Sequence, residues 1–231
     1  MEFQKFPKIA RLNRNIVITE KLDGTNAAVG IEKPSPEDYD ACLEKATAEL
    51  PGGVLVYAQS RKRIIRPGGD NFGFAQWVEE HAEELLGLGE GLHFGEWWGK
   101  GIQRAYGLDE RRFSLFNTAR WSDSAATAHD TPRPDCCSVV PVLRQWGQFD
   151  SEVIRVTLND LREVGSYAAP GYPDPEGIVV FHTHANKPFK VTLEDDEKPK
   201  SAVQSEAAKI GRTLHPTGGG QPSAAPLEAY A

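Results

Sequence analysis

Residues 20–26 read Glu-Lys-Leu-Asp-Gly-Thr-Asn, and Lys21 is the group here with the most chemistry in it. The apolar run Ile16-Val17-Ile18-Thr19 precedes it, and Ala27-Ala28-Val29-Gly30-Ile31 follows Gly24. That pattern predicts two strands about a tight turn, with Lys21 at the end of the first. A lysine held there can be aimed into a cleft, where its amine can act as a covalent nucleophile. An amine attacks only after losing its proton, and a free lysine side chain titrates at roughly 10.4. Nearby cations or desolvation must then favour the neutral form. Taken alone, the heptapeptide is better read as an exposed strand-end lysine beside a glycine turn. The other polar blocks of the chain reverse that judgement.

Five such blocks follow. Ser60-Arg61 closes the run Val54–Ala58, and a guanidinium fork there suits ribose or phosphate oxygens. Phe94-Gly95-Glu96 sits in an aromatic run that continues into Trp97-Trp98. Leu115-Phe116-Asn117 offers a flat ring, and Glu176-Gly177-Ile178-Val179 a carboxylate of the kind that holds a hydrated Mg²⁺. Phe189-Lys190-Val191-Thr192 supplies a cation. Together with Lys21-Leu22-Asp23-Gly24, these resemble in kind and order the blocks of the covalent nucleotidyltransferases, the superfamily of ATP-dependent DNA ligases, RNA ligases and messenger-RNA capping enzymes. They span nearly the whole of residues 20–200. The flanks narrow the resemblance. Glu20 to Asn26, Gly95-Glu96-Trp97-Trp98-Gly99 leading into Gly101-Ile102-Gln103-Arg104, and Lys190 to Lys200 are similar to ATP-dependent RNA ligases of the RNA ligase 2-like branch.

The resemblance implies an α+β nucleotidyltransferase fold of mainly antiparallel sheets flanked by helices. It implies that Lys21 attacks the α-phosphorus of ATP, expels pyrophosphate and becomes lysyl-AMP. The AMP would pass to an RNA 5′-phosphate, and a 3′-hydroxyl would then displace it. By the same resemblance Glu20 helps to read the adenine, Asn26 contacts the α-phosphate, and Arg61 binds ribose or phosphate. Glu96 accepts from a ribose hydroxyl and joins Glu176 in holding the metal, while Phe116 stacks on the adenine. Lys190 neutralises charge at the α-phosphate as the transition state forms. The family's closing block often has two lysines one residue apart, whereas Val191 and Thr192 follow Lys190. Lys198 or Lys200 is expected to supply the second. The implied cofactors are ATP as AMP donor and Mg²⁺ or Mn²⁺. The implied partner is RNA with 5′-phosphate and 3′-hydroxyl ends, a nicked duplex above all. Strand alternation puts Glu20 and Lys21 on opposite faces, so Glu20 need not pair with the nucleophile.

The remaining sequence supplies the scaffold. Ser35, Pro36, Glu37 and Asp38 read as a helix start, and Tyr39, Leu43, Ala46 and Leu50 as its apolar stripe, which predicts a helix over 36–50. Asp70 or Asn71 caps a second helix through about Leu86. Strands are expected at 54–58, 92–98, 113–116, 139–143, 177–181 and 189–193, and a helix at 151–165. Residues 122–135 read as a surface loop. Trp97 and Trp98 divide evenly between core packing and substrate contact. His182 and His184 share a strand face but have no third metal ligand. Residues 1–205 are expected to form the catalytic domain and 206–231 a flexible tail. No full C-terminal nucleic-acid-binding domain is expected, and an accessory protein would take its place.

Composition narrows the function classes. Lys and Arg number 26 against 33 Asp and Glu, a formal net charge of −7 over 231 residues. That balance argues against a generally basic nucleic-acid-coating protein but leaves room for a local basic cleft. Lys62, Arg63, Arg66, Lys100 and Arg104 are expected to form it. No apolar run approaches the ~18 residues of a membrane span. The start lacks an apolar signal core, so a cytoplasmic protein is expected. Cys42, Cys136 and Cys137 give neither a disulfide framework nor zinc spacing. The competing readings are an ATP-dependent DNA ligase, a GTP-using guanylyltransferase, and a non-catalytic nucleic-acid-binding module. Intact Lys21, Glu96 and Glu176 argue against the last.

Overall fold

A computed structural model describes residues 2–6, 8–69, 72–123 and 132–194. Asp70, Asn71, Lys198, Lys200 and the expected tail lie outside the described residues. Two sheets carry the fold. The smaller contains β1 (Ile16–Lys21), β9 (Val142–Trp146), β10 (Gly177–His182) and β11 (Lys187–Thr192), in the order β11-β10-β1-β9. The larger contains β2 (Thr25–Glu32), β3 (Ala48–Leu50), β4 (Val54–Ser60), β6 (Gly91–Gly99), β7 (Arg111–Leu115) and β8 (Cys137–Val139), in the order β3-β4-β2-β6-β7-β8. A short β5 (Ile64–Ile65) pairs with β4. Every pairing is antiparallel except β7 with β8. The fold is therefore α+β with mainly antiparallel sheets, as expected.

Period-two burial sorts the faces. On the larger sheet Ala27, Val29, Ile31, Val56, Ala58, Trp97, Phe113 and Leu115 pack against Phe74, Ala75 and Val78 of α2 (Phe74–Glu80) and Ala82 and Leu85 of α3 (Ala82–Leu85). On the smaller sheet Ile16, Ile18, Ile178 and Val180 pack against Leu161, with Ile154 and Leu158 alongside. Each fully buried Val, Leu, Ile or Phe among them contributes about 1.5–3 kcal/mol. The helix α5 (Ser151–Val164) that carries Leu161 is the one the pattern at 151–165 predicts. The Asp150 side chain accepts from the Glu152 N–H at 2.8 Å, and Gly165 closes the helix. The remaining short helices are α1 (Tyr39–Leu43) and α4 (Thr118–Trp121).

Three sequence expectations are corrected. The helix over 36–50 is only α1, and Ala48–Leu50 is an edge strand. Thr47 explains the switch: its N–H donates to the Val56 carbonyl and its hydroxyl accepts from the Ala58 N–H, so the sheet edge captures the chain. The single helix to Leu86 breaks at His81, whose backbone leaves the helical region. The strand over 139–143 is the end of β8 and the start of β9, in different sheets. Pro141 lies at the crossing and accepts from the Glu20 N–H at 3.0 Å. Trp97 and Trp98 are core residues, 2% and 1% exposed. Their indole N–H groups donate to the Phe72 carbonyl and the Ser114 hydroxyl.

Candidate active site

Lys21 is the last residue of β1 and pairs in register with Gly177, the first of β10. That register sets its amine against the Glu176 carboxylate in an ion pair. The two side chains are 20% and 3% exposed, so one end of the pair is open and the other buried. Gly177 fixes the carboxylate's place. A Cβ there would lie 2.3 Å from the Val191 carbonyl oxygen, and only a glycine lets β11 come so close at φ +152°.

The turn after Lys21 reaches the other sheet by a similar close approach. A Cβ on Gly24 would lie 2.4 Å from the Trp97 carbonyl oxygen and 2.7 Å from the Trp98 Cβ. Without one, the Gly24 N–H donates to Glu96 at 3.2 Å. The end of β1, the start of β10 and the middle of β6 thus bring Lys21, Glu176 and Glu96 together. Asn26 stands directly opposite Glu96 across β2 and β6. Arg61 lies one residue past the last β2–β4 pair, Ala27 with Ser60, in line with Asn26, and is exposed. Phe116 is 40% exposed, its N–H donating to the Phe94 carbonyl. Lys190 pairs with Val179, on the same face as Lys21 but two strands across and two residues along. Strand spacing and rise put their backbones roughly 12 Å apart.

Glu20 takes the opposite face, as strand alternation predicts. Its carboxylate, 1% exposed, accepts from the Ser166 hydroxyl at 2.6 Å and from the Tyr167 and Ala168 N–H groups at 2.8 and 2.9 Å. It anchors the loop that leaves α5. Burial raises its pKa, and those three donors oppose the rise.

Further contacts support the turn after Lys21, and sequence reasoning missed most of them. The Asp23 N–H donates to the Tyr106 hydroxyl at 2.8 Å. Tyr106 packs edge-on to Trp98 and against Tyr172, with centroids 4.9 Å away in both cases. Arg104 bridges Asp23, at 3.2 Å, and Asp174. This corrects the expectation for Arg104: its guanidinium holds carboxylates rather than standing free for phosphates. The loop pays for this arrangement in backbone strain, with Gln103, Ala105 and Tyr106 all left-handed at φ 45°, 54° and 53°. No spacing in the sequence signals Tyr106 or Asp174, since both reach the site only through tertiary contacts.

Burial pushes the Glu96 carboxyl up to about 7, with Glu176 and Asp23 adding to the rise, while Lys21 and the Gly24 N–H oppose it. A raised folded-state pKa means that ionising Glu96 costs stability as pH rises through about 7. Below the unfolded value both states hold the proton and the cost vanishes. Glu96→Gln is therefore expected to raise thermal stability at pH 8 by about 1–3 kcal/mol, a few degrees in Tm, and to change it little near pH 5. Melting curves at the two pH values check this; a variant no more stable at pH 8 than at pH 5, each against wild type, refutes it.

A buried carboxylate, Glu176, and a half-buried one, Glu96, that repel each other form a donor set that a divalent cation would relieve. Among the described residues no group of three or more His, Cys, Asp or Glu could hold a metal unaided. The pair Glu96 and Glu176 fits Mg²⁺-type binding, which uses one or two carboxylates and leaves other positions to water and phosphate. His182 is buried and His184 exposed in the turn after β10, so they do not share a site.

A profile of the family described as RNA ligase matches residues 14–192. Among solved structures, Naegleria gruberi RNA ligase with pyrophosphate aligns at 18% identity and a TM-score of 0.51, covering 84% of this chain and 52% of that one. A mutant of the same ligase with AMP and Mn aligns at 17% identity and 0.52, covering 84% and 52%. An apo mutant aligns at 18% and 0.51, covering 83% and 51%. These likenesses show the fold, and the chain spans about half the length of the structures it matches. No curated protein matches it.

Proposed function

The chain belongs to the RNA ligase family, and we propose that it is an ATP-dependent RNA ligase working through lysyl-AMP on Lys21. The observation that carries this reading is the strand-end lysine set against buried Glu176, with Glu96 reached through the Gly24 N–H. Of the Naegleria ligase structures, one mutant carries ATP and Mn and another AMP and Mn. Those ligands fit the groups present here. Asn26 and Arg61 would meet the phosphates and ribose, Phe116 the base, and Glu96 and Glu176 the metal. A divalent ion held there would screen phosphate charge as the amine attacks. Lys190, on the Lys21 face, would neutralise the α-phosphate, and Lys198 or Lys200 would supply the second closing-block cation. Glu20 would act on the base through the 166–168 loop that it holds.

Sealing would follow in two further steps, transfer of AMP to an RNA 5′-phosphate and attack by a 3′-hydroxyl with release of AMP. A nicked duplex suits this chemistry because pairing aligns both ends in advance. The test is labelling with ATP or GTP and Mn²⁺, followed by sealing of matched RNA and DNA nicks. Labelling by ATP alone and faster sealing of the nick with RNA at its 3′-hydroxyl are expected. Labelling by GTP, or faster sealing of all-DNA nicks, overturns the reading. No helix among the described residues is long and apolar enough to cross a membrane. The cytoplasm and an accessory nucleic-acid-binding protein remain part of the proposal.

A further inference from the structure

Ahead of β1 runs an arm, residues 2–14, unlike the rest of the chain. Phe3, Phe6, Ile9 and Leu12 recur at every third residue. Lys5, Lys8, Arg11 and Arg14 recur at the same interval, two residues later. The four apolar side chains are 90%, 78%, 85% and 61% exposed. Lys5, Lys8 and Arg11 are exposed and Arg14 partly so, and among the described residues none of the four makes an ion pair. One acid, Glu2, stands against these four cations in a chain that is acidic overall.

The root of the arm is fixed. The Ala185 N–H donates to His182 Nδ1 at 3.1 Å, so Nε2 carries the ring proton and donates to the Leu12 carbonyl at 2.7 Å. The Thr183 N–H donates to the Asn15 carbonyl at 3.0 Å. Beyond this root the described side chains are exposed, although a period of three is regular. In an extended backbone with three residues per turn, it gathers cations into one row and apolar groups into another, repeating about every 9 Å. A solvated charge run has no use for exposed phenylalanines, and a core strand has none for unpaired cations. Cations in a row with interleaved aromatic rings suit a strand of phosphates and bases.

We propose that this arm is a second nucleic-acid contact, gripping substrate RNA away from the join, with Lys5, Lys8 and Arg11 on phosphates and Phe3 and Phe6 on exposed base faces. The proposal rests on the RNA ligase reading for its ligand. It also adds to the exposed Lys62, Arg63, Arg66 and Lys100, since Arg104 is engaged by Asp23 and Asp174. The root lies at the end of β1 away from Lys21, five residue steps or roughly 17 Å along the strand. Chemistry at Lys21 should therefore not feel the arm's charges.

The test compares wild type with Lys5→Gln/Lys8→Gln/Arg11→Gln, which spares the half-buried Arg14. Binding of a fluorescein-labelled nicked RNA duplex that carries a single-stranded extension is followed by anisotropy across a salt series, alongside self-adenylylation with ATP and Mn²⁺. The variant is expected to bind about tenfold more weakly at low salt, with a log–log salt slope smaller by about two. Its adenylylation should match wild type, which also shows that it is folded. Phe3→Ser/Phe6→Ser should lose affinity with its slope unchanged. A charge variant that keeps wild-type affinity and slope overturns the proposal, as an arm built for a protein surface would. Failure of wild type to adenylylate would sink the ligase reading instead, while the anisotropy still decides the arm.

Discussion

Lys21→Ala should yield a folded protein that takes up no AMP. The amine is the bond-forming group in the proposed chemistry, and the other lysine assigned to this face, Lys190, stands roughly 12 Å away across β10 and β11. Folding should survive because the Lys21 side chain is partly open and none of the four hydrophobic clusters among the described residues includes it. Some stability is lost, since Glu176 keeps its burial without its cation. Incubation with labelled ATP and Mn²⁺, then a denaturing gel, reads the result. In wild type the bond should be acid-labile and alkali-stable, as a phosphoramide is. A variant labelled as strongly as wild type would remove Lys21 from the mechanism.

Glu176→Ala should lower the rate of adenylylation by on the order of 10²-fold or more. An electrostatic group that acts mainly in the transition state costs about that much to remove. Glu176 suits the role because it is 3% exposed, held by the close approach at Gly177, and set against the Lys21 amine. A metal-mediated effect has its own signature. The variant should need more Mn²⁺ for half-maximal rate, whereas a purely structural residue would change the melting curve and leave that requirement alone. Wild-type labelling by both this variant and Glu96→Gln would mean that the site has been assigned to the wrong carboxylates.

The blocks around Lys21, Glu96 and Glu176 were legible because their signals are local. A short apolar run, a glycine and a charged residue mark each block whatever the rest of the chain does. The glycines carry the register, and the structure supplies their reason in the clashes a Cβ would meet at Gly24 and Gly177. What stayed hidden depends on distant partners. Leu50 looked like the fourth position of a helical stripe, but Thr47 bonds to Val56 and Ala58 draw it into a sheet. Arg104 read as a phosphate contact until Asp23 and Asp174 claimed it. Tyr106 carried no signal at all, since its position depends on Trp98, Tyr172 and Asp23 converging on it.

The ion pair of Lys21 with Glu176 spans 155 residues of chain, and the Gly24–Glu96 bond spans 72. Contacts of such separation bear a large loop-closure entropy and form only when most of the topology is in place. No isolated hairpin of this chain can assemble the three groups. Capacity for covalent labelling therefore counts natively folded molecules one by one. In a refolding experiment it should appear with the slowest structural phase, after the helical signal of α5 has already returned.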